Sequence, residues 1–361
     1  MNDALASVIL VDILHVARLR DASDIHLAPD EGPTIRAAGR LESLGGAPLT
    51  EKQVSEIAAS LVGDTEFRRV LEGEDVSTTW LDDADRVVRV HAFRARGGVS
   101  VALRLLDRRP PSLEELGFPT SVARFAQLDR GLVIFAGPTG SGKSTSLAAF
   151  IDRINSASAR RILTLEDPIE YRHESKRSMI VQREIGTHSR GFESAILGAL
   201  RSDPDVIVVG EMRDAATIRS VLTAAETGHL VLATLHTGDA VQTIDRIVDA
   251  FSGPEQAQVR AQLAQVLSGV VCQRLVKRDR APGRRLAAEV LLANDPVRAL
   301  IRESRTHQLR NVILTGRQSG MQTLEHHLSE LLASNEIALD EALRIAARPD
   351  ELRIAERVSA S

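Results

Sequence analysis

The sequence contains little cysteine and few aromatic residues. Its single cysteine among 361 residues, Cys272, excludes an internal disulfide and any zinc site built from several cysteines. Cys272 lies in the apolar run VLSGVVCQRL, which indicates a small buried side chain rather than a reactive thiol. Eight Phe, one Trp and one Tyr provide little aromatic surface for stacking on unpaired bases. Nucleic acid is therefore not an expected ligand.

Neither charge sign dominates, and the N-terminus lacks the features of a signal peptide. The 45 basic and 49 acidic residues give a net charge of −4, so no overall field attracts a polyanion. The opening MNDALASVILVDILHVARLR has no basic start and is interrupted by Asp12, His15 and Arg18, which predicts an amphipathic helix rather than a membrane span. We expect a cytoplasmic protein that reaches a membrane only peripherally, through partners.

Residues 1–107 predict an α+β domain. Apolar residues recur with helical spacing over 4–20 and 50–62. The segments SDIHLAP, TIRAAGRLESL, RVVRVHAFRA and GVSVALRLL are typical of strands, with Gly97-Gly98 as a hairpin turn between the last two. A linker over 108–112 follows, because its two prolines favour an extended backbone.

Residues 113–295 predict a parallel sheet with crossover helices, opened by a capping box of Ser112 and Glu115. Each predicted strand is apolar throughout, as expected when helices cover both faces of the sheet. The strands are 132–137, 161–166, 206–211 and 230–236, and the helices begin near Gly142, Phe192, Ala215 and Ala240. Residues 296–361 predict helices, with Asp340 as the cap of the last. The fold class is therefore α/β.

The segment GPTGSGKST, residues 137–145, matches the phosphate-binding pattern G-x-x-x-x-G-K-[ST]. Its glycines allow backbone N–H groups to close around phosphate oxygens. Lys143 then reaches the terminal phosphates, and Ser144 is a ligand for Mg²⁺. An apolar strand before the loop and a helix-forming run after it provide the required context. The pattern predicts a nucleoside triphosphate site.

Carboxylates follow two of the other predicted strands. Glu211 ends DPDVIVVGE, where it can hold the Mg²⁺ shell or orient an attacking water. Glu166, Asp167 and Glu170 follow the strand RILTL at once. Because ligands bind beyond the carboxyl ends of parallel strands, the acidic residues are expected to meet the loop 137–145 there. They predict a hydrolytic site.

Two histidines bracket the strand LVLATL. His229 and His236 are seven residues apart, so strand periodicity places them on opposite faces and argues against one shared metal. Either one alone is compatible with an ordinary core or surface histidine. The position of its strand beside the phosphate loop favours His236 as a sensor of the γ-phosphate.

Together these segments resemble the secretion-superfamily ATPases, and within them the type IV pilus retraction ATPases of the PilT type. The resemblance extends over nearly the whole chain. ASDIHL (22–27) resembles the family's opening segment, and GPTGSGKST its Walker A loop. EDPIEYRHESK (166–176) is similar to the Asp box, ALRSDPDVIVVGEMRD (199–214) to the Walker B segment, AETGHLVLATLHT (225–237) to the His box, and GMQTLEHHLSEL (320–331) to the C-terminal helical signature.

The resemblance implies a PAS-like N-terminal domain, a RecA-like ATPase core and a homohexameric ring that uses ATP and Mg²⁺. It implies that Glu211 is the water-activating base, with Glu170 and Glu166 as alternatives. It also implies that His236 and His229 of the His box are catalytic residues and that arginines complete the site. The implied nucleotide-binding positions are Gly137, Pro138, Thr139, Gly140, Ser141, Gly142, Lys143, Ser144 and Thr145. Mg²⁺ is assigned to Ser144 and Glu211. The candidate arginines are Arg89, Arg104, Arg201 and Arg213.

The implied function is an ATP-hydrolysing motor for pilus retraction and twitching motility. Its implied partners are an inner-membrane pilus platform protein and a paralogous retraction ATPase. Alternatives are a retraction-accessory paralogue, a nucleotide-gated structural ring, and a pilus-assembly or type II secretion ATPase. Assembly ATPases and type II secretion ATPases usually carry paired CxxC motifs, which this sequence lacks. Two departures from the family stand out: PVRALIRE (296–303) replaces AIRxLIRE, and Gly238-Asp239 follows the His box.

Overall fold

The computed structural model describes residues 2–37, 39–83, 86–105, 110–281 and 283–352. The chain divides into two compact units. The N-terminal unit comprises Met1–Arg109 and Pro168–Arg172, and the core unit comprises Pro110–Asp167 and His173–Ser361. The segment Pro168–Arg172 thus groups with the N-terminal unit, although the sequence-based division assigns it to 113–295. Of the predicted linker, residues 108 and 109 lie outside the described part of the chain.

The N-terminal unit is built on an antiparallel sheet of order β3-β2-β1-β6-β5-β4. Its elements are α1 (Asn2–Leu19), β1 (Ala22–Leu27), β2 (Thr34–Ala37), β3 (Arg40–Ser43), α2 (Glu51–Val62), α3 (Asp64–Leu71), β4 (Val76–Leu81), β5 (Val87–Ala95) and β6 (Gly98–Leu105). Alternate residues of β1 and β2 are buried, among them Ile25, Leu27 and Ile35. These pack with Val54 and Ile57 of α2 into one core, which gives the α+β architecture that the sequence predicts.

Two features of this unit differ from the sequence prediction. TIRAAGRLESL forms two paired strands, β2 and β3, rather than one. α3 and β4 were not predicted; β4 alternates polar and apolar residues weakly, so its period-2 signal is faint. The hairpin at Gly97-Gly98 is confirmed, because Ala95 pairs with Gly98 and Gly97 has φ +98°.

The core unit contains a seven-stranded sheet of order β13-β12-β7-β11-β10-β8-β9, parallel except for β13. Its strands are β7 (Gly131–Ala136), β8 (Arg161–Glu166), β9 (Met179–Glu184), β10 (Val206–Val209), β11 (Leu230–Leu235), β12 (Leu267–Lys277) and β13 (Arg284–Leu292). Its α-helices are α4 (Leu113–Leu116), α5 (Thr120–Ala123), α6 (Lys143–Ala157), α7 (Phe192–Ala199), α8 (Ala215–Glu226), α9 (Ala240–Asp249), α10 (Gly253–Val266), α11 (Asp295–Arg302), α12 (Leu309–Thr315), α13 (Leu324–Ala333) and α14 (Leu339–Ile345). Short 3₁₀ turns lie at Arg124–Gln127, Thr306–Gln308, Arg317–Ser319 and Pro349–Glu351.

The central strands of this sheet confirm the sequence prediction. Every residue of β7, β10 and β11 is buried, because helices cover both faces. Three further strands, β9, β12 and β13, were not predicted. β12 begins directly where α10 ends, at Leu267, so no glycine or proline marks the boundary. Cys272 lies within β12 and is buried, as predicted.

The helix caps confirm one prediction and correct another. Ser112 and Glu115 form the predicted capping box of α4. Asp340, by contrast, does not cap the last helix: Ala338 is the N-cap of α14, and Asp340 lies inside its first turn. Pro296 lies in the first turn of α11, after the N-cap Asn294. Proline is tolerated there, because a backbone N–H in the first turn has no acceptor within the helix.

Among the helices that the structure describes, none has both the length and the apolar character needed to cross a membrane.

Candidate nucleotide site

Four neighbouring strands place the predicted residues at one edge of the core sheet. β7, β11, β10 and β8 are adjacent and parallel, so their carboxyl ends share that edge. The loop 137–142 follows β7, His236 follows β11, and Glu211 follows β10 after Gly210. Glu166 is the last residue of β8. The architecture therefore brings the phosphate loop, two carboxylates and a histidine together.

The phosphate loop depends on glycine at its first and last positions. Gly137 has φ +151°, and a Cβ there would lie 2.4 Å from Ser141 Oγ and 2.7 Å from the Gln273 carbonyl oxygen. Gly142 adopts the left-handed conformation, with φ +89°, immediately before α6 begins. The loop thus ends on a helix N-terminus, whose free N–H groups and positive partial charge suit an anion.

Lys143 is held inside this loop. Its side chain is buried, and its ammonium donates to the carbonyl oxygens of Gly137 at 2.8 Å and Pro138 at 3.1 Å. A buried ammonium requires such acceptors. Because neutral carbonyls are weaker partners than phosphate oxygens, this arrangement leaves Lys143 ready to exchange them for a phosphate. Ser144 is exposed beside it, in the first turn of α6.

Glu211 is the centre of a charged cluster. Arg213 Nε donates to one carboxylate oxygen of Glu211 at 2.7 Å, and His236 Nε2 lies 3.4 Å from the other. Arg213 also reaches Asp167 at 3.4 Å. The Glu211 carboxylate raises the pKa of Arg213, so the guanidinium stays charged. These contacts fix the Glu211 carboxylate beyond the end of β10.

The environment of His236 favours the neutral form of its imidazole. Burial lowers its pKa, the nearby Lys143 ammonium lowers it further, and the Glu211 carboxylate opposes both. A neutral imidazole carries one donor and one acceptor. His236 can therefore donate a hydrogen bond to a phosphate oxygen, or exchange one with Glu211.

Glu166 is held differently from Glu211. Its Oε1 accepts hydrogen bonds from Thr164 Oγ1 at 2.6 Å and from Gln182 Nε2 at 3.0 Å. Both donors are neutral side chains on β8 and its neighbour β9. These two hydrogen bonds anchor the Glu166 carboxylate to the sheet.

Glu170 and two of the candidate arginines lie in the N-terminal unit. Arg89 lies 3.6 Å from Glu170. Arg104 Nε donates a hydrogen bond to Asp24 at 2.9 Å. On the sheet, Arg104 of β6 lies directly opposite Arg89 of the neighbouring strand β5. Burial raises the pKa of Asp24, but hydrogen bonds from Ser23 and Arg104 and the Arg104 charge together outweigh it, so the pKa is lowered overall. Both arginines thus occupy one face of the N-terminal sheet, each with a carboxylate neighbour.

Two predicted residues lie away from the site. His229 immediately precedes β11, and its Nδ1 contacts Thr227 Oγ1 at 3.1 Å and the Ala224 carbonyl oxygen at 3.0 Å. The six residues of β11 separate it from His236 by about 20 Å. His229 therefore lies at the opposite edge of the sheet from His236, and its place among the catalytic residues stays a prediction that this geometry does not support. Arg201 is exposed between α7 and β10, on the same distant side.

The structure adds residues that the sequence did not single out. Gln273 is fully buried, and its Nε2 donates to Ser146 Oγ in α6 at 2.7 Å. Arg274 donates to the Gln273 carbonyl oxygen at 3.2 Å and to the Gly238 carbonyl oxygen at 3.3 Å. β12 thereby supports both the phosphate loop and the segment after His236. In the sequence, Gln273 and Arg274 stand in the segment QRL after Cys272, to which the sequence analysis gives no function.

The Gly238-Asp239 departure from the family pattern builds the start of α9. Asp239 is its N-cap and accepts a hydrogen bond from Gln242 N at 2.8 Å. Gly238 N donates to Gln242 Oε1, and a Cβ on Gly238 would lie 2.9 Å from that oxygen. The two residues therefore form a tight, capped connection from His236 into the helix.

A family model described as type II/IV secretion system protein matches residues 2–356. The chain belongs to this family. It is 40% identical over 341 residues to the type IV pilus retraction ATPase PilT of Pseudomonas aeruginosa, covering 94% of this chain and 99% of that protein. It is 37% identical over 336 residues to the type IV pilus ATPase PilU of the same organism, covering 93% and 88%.

A solved structure of the pilus retraction motor PilT with bound ADP superimposes with a TM-score of 0.87 at 39% identity, covering 94% of this chain and 98% of that one. The resemblance that the sequence motifs carry is therefore confirmed. So is the fold class: an N-terminal α+β domain, an α/β ATPase core and C-terminal helices in one chain of this secretion-protein family.

Proposed function

We propose that this chain is an ATP-hydrolysing motor that powers type IV pilus retraction. The observation that carries the proposal is the convergence of Lys143, Glu211 and His236 at one sheet edge in a chain with full-length similarity to PilT. The bound ADP of the PilT structure supports a nucleotide as the ligand.

The loop 137–142 and the start of α6 are the proposed phosphate-binding elements. Backbone N–H groups of residues 139–145 surround the phosphates, and Lys143 exchanges the Gly137 and Pro138 carbonyl oxygens for phosphate oxygens. Gln273 holds α6 in place through Ser146. The nine residues 137–145 are the proposed nucleotide-binding set.

The residues at this edge fit Mg²⁺. Among the described residues no group of three or more His, Cys, Asp or Glu can hold a metal ion, which is compatible with Mg²⁺ because it takes one or two protein oxygens beside substrate phosphates and waters. We assign the exposed Ser144 hydroxyl and the Glu211 carboxylate as those oxygens. When bound, the ion neutralises charge that develops on the transferring phosphoryl group.

Water activation is assigned to Glu211, with Glu166 and Glu170 as alternatives. Glu211 lies beside His236, whereas Glu166 is anchored by two neutral donors and Glu170 is paired with Arg89. Arg213 holds the Glu211 carboxylate at 2.7 Å and limits its rotation. The neutral His236 imidazole donates a hydrogen bond to the γ-phosphate, both when ATP binds and when the phosphate is released.

The assembly and the partners are proposed from the same similarity. We propose a homohexamer in which Arg89 and Arg104 of the N-terminal sheet supply positive charge to a bound nucleotide. Such a motor acts from the cytoplasm, where ATP is available, on an inner-membrane platform protein of the pilus. The similarity to PilU favours one alternative, a paralogue that assists a separate retraction motor.

The experiment is a steady-state phosphate-release assay on the purified full chain. Lys143→Ala is expected to abolish turnover, because no other described cation lies inside the phosphate loop. Glu211→Gln is expected to bind ATP while its kcat falls about 100-fold or more. The control, Arg344→Gln, removes an exposed ion pair on α14 and should behave like wild type. Wild-type rates in the first two variants would refute the ATPase assignment, and a wild-type chain without turnover would favour a nucleotide-gated ring.

Cellular retraction is tested by deleting the gene and counting surface pili. Accumulated pili support a retraction motor, and restoration by wild type but not by Lys143→Ala ties the effect to nucleotide turnover. Loss of pili would contradict retraction and favour an assembly ATPase. Unchanged pilus number in the presence of a second retraction ATPase, with reduced retraction force, would favour the accessory role.

A further inference from the structure

Glu289 is a buried carboxylate that the proposed hydrolytic step does not use. It lies on β13 opposite Cys272, and only 5% of the residue is exposed. Its Oε1 accepts a hydrogen bond from the backbone N–H of Ala240 at 2.8 Å, in a fully buried contact. Ala240 is the first residue of α9, four residues after His236. Glu289 therefore holds the helix that continues directly from the phosphate site.

The start of α9 is fixed from two directions. On its own side, Asp239 caps the helix through Gln242 N, and Arg274 holds the Gly238 carbonyl oxygen. From the edge strand, Glu289 satisfies the remaining N–H of Ala240. A carboxylate at this point also meets the positive end of the helix. The segment between His236 and α9 is therefore positioned in part by a residue from β13.

The same carboxyl group faces the C-terminal helices. Its Oε2 lies 4.0 Å from Arg310 Nη1 on α12. Arg310 in turn pairs with Glu325 of α13 at 3.3 Å and with Glu351. One guanidinium thus connects the edge strand to three segments of the C-terminal region. Glu289 is the group that joins this network to α9.

We propose that Glu289 is a positioning residue that couples the segment carrying His236 to the C-terminal helices through Arg310. A shift of residues 237–239 when a phosphate reaches His236 would change the Glu289–Arg310 contact, and a shift of α12 would in turn move the start of α9. A cavity of about 520 Å³, lined in part by Asp239, Glu289 and Arg310, gives these side chains room to move. This inference rests on the proposed ATPase function.

The charge on Glu289 is sensitive to its surroundings. Burial raises its pKa to about 7, the hydrogen bond from Ala240 and the Arg310 guanidinium act in the opposite direction, and Asp239 and Glu325 add to the rise. The other titratable or charged groups that line the adjoining cavity are Cys272, Arg274, His307 and Arg348. The ion pair with Arg310 is therefore fully formed only above neutral pH.

The test compares Glu289→Gln with wild type in the full chain. The amide oxygen still accepts from Ala240 N, but the charge opposite Arg310 is lost. We expect kcat for ATP at pH 8 to fall about threefold to tenfold, the range of coupling residues, while KM for ATP stays within about twofold. Near pH 6 the difference should shrink, because Glu289 of the wild type is then protonated as well.

The matched control is Glu336→Gln. Glu336 pairs with Arg285 at 2.6 Å, so it also joins β13 to the C-terminal region, but within the described residues its ion pair and hydrogen bonds do not involve α9. Its kcat, KM and pH profile should equal those of wild type. Arg310→Gln should reproduce the effect of Glu289→Gln, and the double variant should be no worse than either single variant.

Hydrogen exchange at the Ala240 and Val241 amides gives a readout that does not depend on turnover. Arg310→Gln should accelerate this exchange in the wild-type background and have no further effect in Glu289→Gln. Wild-type exchange in Arg310→Gln, or an equal effect of Glu336→Gln on kcat or exchange, would overturn the coupling. If Lys143→Ala fails to stop phosphate release while the exchange coupling holds, the proposed function fails and the positioning role stands.

Discussion

At the scale of residues, the chemistry of the site was visible in the sequence but its pairings were not. The loop 137–145 is contiguous, so its pattern alone predicts a phosphate cradle. The contact of Arg213 with Asp167 joins residues 46 positions apart and arises only because β8 and β10 are neighbours. The position of His229 was not apparent for a related reason: strand periodicity indicates a face of the sheet, whereas the start of β11 places His229 at the edge opposite His236.

Arg213→Gln should lower kcat for ATP about tenfold or more, because the guanidinium fixes the Glu211 carboxylate at 2.7 Å and also holds Asp167. Arg213→Lys keeps the charge but loses the fork that reaches both carboxylates, so an intermediate kcat is expected. Arg344→Gln, which breaks an exposed ion pair on α14, serves as the control. Equal kcat values in wild type and Arg213→Gln would remove Arg213 from the site.

His173 predicts a pH dependence of stability. Burial lowers its pKa to about 4, the Lys176 ammonium lowers it too, and Asp152 opposes the shift. The unfolded chain then binds more protons than the folded chain between about pH 6.5 and 4, so the free energy of unfolding falls as pH falls through this window.

His173→Gln should remove that loss, which amounts to about 1.5 kcal/mol between pH 6.5 and pH 5 for the wild type. Urea unfolding at the two pH values measures it. The variant of the exposed His15, His15→Gln, should keep the wild-type difference. An identical pH dependence in wild type and His173→Gln would show that His173 is not responsible.

At the scale of elements, apolar runs bounded by loop residues were sufficient to predict β7, β8, β10 and β11. The same signal failed for β12, because α10 passes into it without a turn residue at Leu267. It also failed for β9, whose residues are only partly buried and alternate little. β12 and β13 nevertheless carry Gln273, Arg274 and Glu289. Sequence periodicity therefore predicted the strands that carry the candidate catalytic groups and missed those that support them.

Gly137→Ala should displace the phosphate loop. The added Cβ would lie 2.4 Å from Ser141 Oγ and 2.7 Å from the Gln273 carbonyl oxygen, at a φ that favours glycine. We expect ATP affinity to fall about tenfold or more and the free energy of unfolding to fall by about 1–3 kcal/mol. Isothermal titration with ATP and urea unfolding measure the two effects.

The matched control for the loop is Gly191→Ala. Gly191 has an extended backbone, with φ −179°, and open space where the Cβ would lie. ATP affinity should be unchanged, and the free energy of unfolding should fall by up to about 1 kcal/mol, because alanine is a poorer helix N-cap than glycine. A Gly137→Ala variant that matches Gly191→Ala would show that the loop tolerates the side chain.

At the scale of the whole molecule, the family model matches residues 2–356, a range that includes the elements of both units in the order given above. The sequence predicted this order because its motifs lie at the ends of successive strands. The grouping of Pro168–Arg172 with the N-terminal unit was not predictable, since it depends on where the chain passes after β8. Glu170, which the sequence counts among the core carboxylates, belongs with Arg89 for that reason.

The central claim is that Lys143, Glu211 and His236 surround the outermost phosphate of a bound nucleotide. The most direct measurement is a crystal structure with a non-hydrolysable ATP analogue and Mg²⁺. The account predicts that Lys143 Nζ leaves the Gly137 and Pro138 carbonyl oxygens for a phosphate oxygen, with Glu211 and His236 beside the terminal phosphate. An analogue bound elsewhere, or one whose terminal phosphate is remote from Glu211 while Lys143 keeps its two carbonyl partners, would contradict it.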